Sequence, residues 1–235
     1  MGKAICHEFA RHGADVVVAS RKADSCEQVA DVIAAEYGVR SIGIGCHVGN
    51  WADCGRLVEN VRSEFGRVDI LVNNAGMSPL YDSLASVSEE LFDKVLAVNL
   101  RGPFRLSVLV GELMAAGDGG SIINVSSVAA TQPGGHDLPY SVAKAGLNTL
   151  TVGLAHALGP KVRVNAIMPG MFMTDISKAW DLEEFERETR FQIPLQRGGE
   201  PDEMVAAALY FASDASSYTS GAVLKIDGGL TWSPA

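Results

Sequence analysis

Short, unbroken apolar runs rich in β-branched residues alternate along the chain with longer stretches in which apolar residues recur every three or four positions. The runs at 15–20 (DVVVAS), 41–45 (SIGIG), 68–73 (VDILVN), 121–125 (SIINV), 162–166 (VRVNA) and 222–226 (AVLKI) predict six strands. The periodic stretches predict helices over 2–13, 24–36, 51–65, 88–115, 139–158 and 201–213. Unbroken hydrophobicity marks strands buried on both faces, and strand–helix repetition at this spacing builds a parallel sheet wrapped by helices. The predicted class is α/β, a doubly wound parallel sheet in one domain spanning 1–235. Gly13 and Gly38 are placed to end helices in the left-handed conformation. Ser86 and Glu89 have the spacing of a capping box, and Pro201-Asp202-Glu203 suits a helix start. The longest stretch without a strand carries charges together with Trp180, Phe185, Phe191 and Ile193. That mixture fits either a substrate lid over about 171–199 or an ordinary amphipathic helix.

Composition narrows the field. With 47% hydrophobic and 20% charged residues, the chain has ordinary globular usage, which excludes disordered and fibrous proteins. A formal net charge of -9 argues against a nucleic-acid partner. No apolar stretch approaches the roughly 18 residues of a membrane span. Cys6, Cys26, Cys46 and Cys54 form no C-x-x-C pair, and no secretory apolar core opens the chain, so a reduced cytoplasmic setting is expected. Such cysteines are expected to be small core or boundary residues. His7, His12, His136 and His156 show no metal-ligand spacing, and no catalytic metal is expected.

A doubly wound nucleotide-binding sheet opens with a buried strand, a glycine-rich turn and a helix whose N-terminus receives the pyrophosphate. Here Gly2 reads as the last glycine of such a turn, followed by Ala4, Ile5, Phe9 and Ala10 on one apolar helix face. The expectation is that the first strand and most of the phosphate loop lie upstream of Met1 in a longer natural protein. A neighbouring subunit or a rearranged segment filling the gap is the other reading. Without that central strand, its two neighbours carry unpaired backbone groups.

Further along, Asn73-Asn-Ala-Gly76 follows a strand, Asn99 lies within a helix, Ser127 follows the next strand, and Tyr140 and Lys144 share a helix. Pro169-Gly170 and Ile226-Asp-Gly-Gly229 complete the series. In this order the chain resembles the short-chain dehydrogenase/reductase family, with its Rossmann-like fold, from Gly2 to Gly229. Spacing of four puts Tyr140 and Lys144 on one helix face, where an ammonium stabilises a phenolate and draws a tyrosine pKa from about 10 toward neutral.

The resemblance implies that Tyr140 passes a proton to a carbonyl as hydride arrives from the nicotinamide, or removes one in reverse. It implies that Ser127 hydrogen-bonds the reacting oxygen, and that Lys144 also holds the nicotinamide ribose. Asn99 is implied to anchor a relay water by interrupting helix hydrogen bonding. Ser126 is expected to be the ordinary turn serine at the strand end. Ala75 and Gly76 let backbone approach the cofactor, while Asn73 and Asn74 serve either the sheet or the cofactor. The segment Pro169-Gly170 with Phe172 and Thr174 resembles the one that meets the nicotinamide carboxamide.

The second strand ends in Ser20-Arg21-Lys22 with no carboxylate, and Arg21 can grip a 2'-phosphate in bidentate fashion. NADP is therefore expected over NAD, the alternative being a solvated basic turn beside Asp24. Where the family carries an aspartate near the adenine, this chain has His47 followed by Val48. His47 either stacks on or hydrogen-bonds the ring or is a partly exposed loop residue.

The function expected is an NADP-dependent oxidoreductase of a secondary alcohol or ketone, with 3-oxoacyl thioesters, sugars, polyols and small cyclic ketones all open. A non-catalytic nucleotide-binding or sensor module, or an inactive fragment, is the alternative. The helices 88–115 and 139–158 are expected, by resemblance, to pack across subunits in a dimer or tetramer. Intact-mass analysis of protein from its native source tests the upstream strand: a mass above 24.8 kDa is expected, and a native mass of 24.8 kDa overturns it.

Overall fold

The computed structural model describes residues 1–173 and 182–231. Helix α1 (Gly2–Arg11) is followed by β1 (Val16–Ser20), α2 (Ala23–Tyr37), β2 (Ser41–Gly45), α3 (Trp51–Phe65) and β3 (Ile70–Asn73). Then come α4 (Glu89–Leu96), α5 (Gly102–Ala116), β4 (Gly120–Val125), α6 (Leu138–Leu158), β5 (Val162–Pro169), α7 (Leu182–Gln192), α8 (Val205–Ala212) and β6 (Val223–Ile226). Among the described residues every strand pairing is parallel, as expected of unbroken apolar runs.

The strands form two sheets, β1–β2 and β3–β4–β5–β6. Among the described residues β1 and β3 each have a single strand partner, and their burial reflects it. Strands β4 and β5 are buried almost throughout, whereas Val17, Val18 and Ile70 to Val72 are only half-buried. Helix α1 joins the two parts. Its Ile5 and Phe9 pack with Ile123, Val125, Ile167 and Phe211 of the larger body, and its Ala10 packs with Val16 and Ile33 of the smaller.

The predicted helix over 88–115 is interrupted. Residues Ala97–Arg101 form a π-helical turn between α4 and α5. Asn99 donates from Nδ2 to the carbonyl of Val95 at 2.9 Å, so its side chain occupies an acceptor of the preceding turn. The capping box expected at Ser86 is absent from α4. Ser88 caps that helix by accepting from the Leu91 N–H at 3.1 Å, while the Ser86 hydroxyl donates to the Ser83 carbonyl at 2.8 Å. Gly38 ends α2 in the left-handed region as expected, and Gly66 does the same for α3.

One buried polar chain ties the layers beneath the site. Asn73 Nδ2 donates to Ser107 Oγ at 2.9 Å and to Asn124 Oδ1 at 2.8 Å, and Asn124 Nδ2 donates to Thr151 Oγ1 at 2.9 Å. Strands β3 and β4 and helices α5 and α6 are thereby held in one register. Replacing Asn124 with alanine leaves the Asn73 amide with only Ser107 to donate to and removes a donor from Thr151, each buried. A loss of about 2–4 kcal/mol in urea unfolding is expected for Asn124→Ala.

Candidate active site

Parallel strands end at a common edge, and the side chains that carry chemistry collect there. Ser127 lies two residues past β4, Tyr140 in the first turn of α6, and Lys144 one turn later on the same face. Lys144 is 3% exposed and donates from Nζ to the Val125 carbonyl at 2.7 Å. Its ammonium lies 5.6 Å from the centre of the Tyr140 ring. Burial pulls the Lys144 pKa down to about 8. For Tyr140, burial is the largest influence and raises its pKa; a Ser127 hydrogen bond opposes this and the Asp137 charge adds to it. The expectation of a phenol drawn toward neutrality is thus not met by the chain alone. Desolvation outweighs the neighbours, and the positive charge of an oxidised nicotinamide would act in the missing direction.

Asn99 is fully buried. Its Nδ2 donates to the Met77 carbonyl at 2.8 Å, and its Oδ1 accepts from the Met77 N–H at 3.1 Å. The side chain holds backbone rather than facing solvent, and the helix interruption expected of it is the π-turn. Gly76 is fitted to this spot, because a Cβ there would lie 3.0 Å from Asn99 Oδ1 and 3.6 Å from Lys144 Nζ.

Ser127 accepts from the Ala129 N–H at 3.2 Å, capping a short 3-10 turn over Val128–Ala130. The turn role expected of Ser126 is therefore taken by Ser127. Ser126 lies buried and donates to the Lys144 carbonyl at 3.4 Å. Because Ser127 Oγ is an acceptor toward Ala129, its own hydroxyl proton is available for the hydrogen bond to Tyr140.

The remaining predicted contacts divide. Asn73 turns inward into the buried polar chain, so its side chain serves the sheet. Asn74 Oδ1 is buried without a hydrogen-bond partner, and its amide faces Gly2, where a Cβ would lie 2.6 Å from Nδ2. Ala75 is exposed at the same edge. Gly170 passes so close to Asp227 that a Cβ would stand 2.8 Å from its Cα. Pro169 ends β5, and Phe172 is buried in the core, bridging to Gly199, so only its backbone is offered to the site. Thr174 and Trp180 lie outside the described residues.

At the other end of the edge Ser20 pairs through Oγ with Cys26 Sγ at 3.0 Å, and Arg21 is exposed beyond β1. The His47 N–H donates to Asp53 at 3.2 Å, and the Val48 carbonyl accepts from Cys54 Sγ at 3.2 Å. The residues present fit a dinucleotide: a glycine cradle at Gly2, Gly76 and Gly170, an unpartnered buried amide oxygen at Asn74, and an exposed guanidinium at Arg21. Gly2, Asn74 and Gly76 would hold its middle, Lys144 and Gly170 its nicotinamide end, and Arg21 its adenosine end.

Sequence reasoning missed three participants. Met77 and Val125 act through backbone groups that any residue carries, so no side-chain signal marks them. Asp227 accepts from the Gly229 N–H at 3.0 Å and from the Thr231 N–H at 2.9 Å, fixing the turn after β6. Its place in Ile226-Asp-Gly-Gly229 was the only available signal. Among the described residues no His, Cys, Asp and Glu side chains are grouped to hold a metal ion, and no helix is long and apolar enough to cross a membrane.

A family model described as enoyl-(acyl carrier protein) reductase matches residues 1–231. The chain is 36% identical over 231 residues to the human protein named dehydrogenase/reductase SDR family member 4, covering 97% of this chain and 83% of that one. With that match at hand, the order of Asn99, Ser127, Tyr140 and Lys144 is no coincidence: the chain belongs to the short-chain dehydrogenase/reductase family. Nearer to a particular enzyme, it is 38% identical over 238 residues to L-rhamnose 1-dehydrogenase (NAD(P)(+)) of Azotobacter vinelandii, covering 98% of this chain and 92% of that one. The crystal structure of L-sorbose reductase from Gluconobacter frateurii, complexed with NADPH and L-sorbose, superposes with a TM-score of 0.93 at 28% identity, covering 99% of this chain and 93% of that one.

A buried lysine leaves a signature in stability. The unfolded chain holds the Lys144 proton up to the ordinary value of 10.5 and the folded chain releases it near 8, so between these pH values the unfolded state binds more protons and stability rises with pH. Relative to Lys144→Met, the wild type is expected to gain about 3 kcal/mol in urea unfolding across that window. A constant difference overturns the assignment.

Proposed function

We propose that the protein is an NADP-dependent oxidoreductase interconverting a secondary alcohol and a ketone, with sugars and polyols as its substrate class. The observation that carries this reading is the junction of Ser127, Tyr140 and a buried Lys144 at the carboxyl edge of the sheet. When bound, the nicotinamide supplies or accepts the hydride. The chain's own residues handle the oxygen and its proton. Tyr140 gives its phenolic proton to the forming alkoxide, and Ser127 turns its hydroxyl proton from Tyr140 toward the same oxygen. Lys144, with a pKa near 8, stands ready to carry a proton to Tyr140 at physiological pH. Val125 holds that ammonium in place, and Asn99 holds the Met77 backbone beside it through both polar groups of its amide.

Preference for NADP is supported by Arg21, exposed at the end of β1 with no carboxylate at the strand terminus, and by the NADPH in the similar L-sorbose reductase. The sugar assignment rests on the names of that reductase and of the rhamnose dehydrogenase. Of the substrate lid assigned to about 171–199 in the single domain, 174–181 lie outside the described residues, and Phe172, Phe185 and Ile193 are buried. Phe104 on α5 and Val142 and Val152 on α6 are exposed, and these faces suit self-association into a dimer or tetramer. Four free cysteines fit a reducing cytoplasm.

Tyr140→Phe is expected to lower kcat for ketose reduction by about 10²–10⁴-fold while retaining NADPH affinity by fluorescence titration. In the same assays Arg21→Asp is expected to reduce the NADPH-over-NADH ratio of kcat/KM by about tenfold or more. An unchanged ratio would make Arg21 part of a solvated turn.

A further inference from the structure

The helix that carries Tyr140 has an unusual start. Its cap position is Asp137, yet the Asp137 carboxylate accepts from the Gly134 N–H at 3.0 Å and the Ser141 hydroxyl at 3.0 Å and caps no N–H of the first turn. The first helical residue, Leu138, has a backbone N–H that must find an acceptor elsewhere, and Pro139 after it has none to offer. The acceptor comes from 57 residues away: the Leu138 N–H donates to the phenolic oxygen of Tyr81 at 2.9 Å. The same hydroxyl gives its proton to the Gly135 carbonyl at 2.9 Å. One oxygen therefore closes the loop ahead of α6 and caps the helix, using both its donor and its acceptor capacity.

Tyr81 sits in the segment after β3, whose near end is fastened at Met77 by both polar groups of the Asn99 amide. The segment is thus held at two points four residues apart, one on the π-turn and one on the first turn of α6. Between them Leu80 projects with 87% of its surface exposed, so side-chain packing of that residue contributes little to the placement. Hydrogen bonds fix the geometry. Tyr140 is two residues beyond Leu138, within the turn that Tyr81 caps.

We propose that Tyr81 is a positioning residue for Tyr140, a cap supplied from the loop after β3 that sets the first turn of α6 and with it the placement of the catalytic phenol. The inference rests on the functional reading above, in which Tyr140 is the proton donor. Losing the cap leaves the Leu138 N–H and the Gly135 carbonyl to water and lets the first turn fray. Binding groups elsewhere along the cleft are untouched, so the loss falls on alignment in the transition state.

The test is Tyr81→Phe in the full chain, which keeps the ring and removes only the hydroxyl. Steady-state reduction with NADPH and a ketose or ketone turned over by the wild type would be measured well below the melting temperature of both proteins. Fluorescence titration with NADPH and deuterium uptake of the peptide spanning 132–141 complete the set. The expected result is a fall in kcat of about tenfold, with KM for the ketone and Kd for NADPH within about twofold of wild type, and faster uptake in that peptide. A kcat within about twofold of wild type overturns the proposal even if uptake rises, because the strap would then be structural only. A fall in kcat without faster uptake also overturns it, since Tyr81 would then act on the substrate itself. A wild type that reduces no carbonyl overturns the functional assignment and this inference with it, whereas an active wild type beside an unaltered variant overturns this inference alone.

Discussion

A lysine ammonium held away from water is the constraint around which the site is arranged. Lys144 must be charged to help its neighbour, yet burial opposes the charge, and its hydrogen bond to the Val125 carbonyl offsets only part of that cost. Each surrounding feature follows from keeping that ammonium close to Tyr140 without displacing it. At Gly76 a side chain would begin with a Cβ crowding Asn99 Oδ1 and in contact with Lys144. Asn99 uses its amide to hold Met77, and the helix that bears it departs from regular winding to let it do so. Strand β4 supplies the carbonyl, so its register against β3 and β5 fixes where the charge sits.

The buried polar chain from Ser107 through Asn73 and Asn124 to Thr151 provides the stiffness that this arrangement needs. Each group is satisfied by the next, so none is left unpaired, and the chain crosses the strands directly under the residues that do chemistry.

Much of this was legible in the sequence. The unbroken apolar runs gave six parallel strands with edges within a few residues, and the order of Asn99, Ser127, Tyr140 and Lys144 placed the site at the strand ends. The less legible part was what depends on distance rather than on type. Periodicity could not show that Asn99 breaks the helix, because the apolar positions on either side of it remain helical in spacing. Nor could it divide labour between Ser126 and Ser127, which differ only in which side of an extended backbone each faces. The direction of the tyrosine pKa in the chain alone was not legible for a related reason: spacing reveals that an ammonium is near, but not that the phenol and the ammonium are both desolvated.

The π-turn between α4 and α5 carries a consequence for the surface of the long helical stretch. A π-turn holds one residue more than the regular winding would, and one residue corresponds to about 100° of rotation around a helix axis. Helices α4 and α5 are therefore out of phase, and each faces its neighbours with a separately keyed stripe. Winding the same residues as a regular helix would turn α5 by that angle and carry Leu106 and Val110 off their partners Ile122 and Val164, whereas the π-turn absorbs the extra residue and keeps α5 facing them. The extra residue is therefore spent on the site and not on the packing: it lets Asn99 turn its amide to the Met77 backbone while the stripe of α5 stays in contact with the sheet.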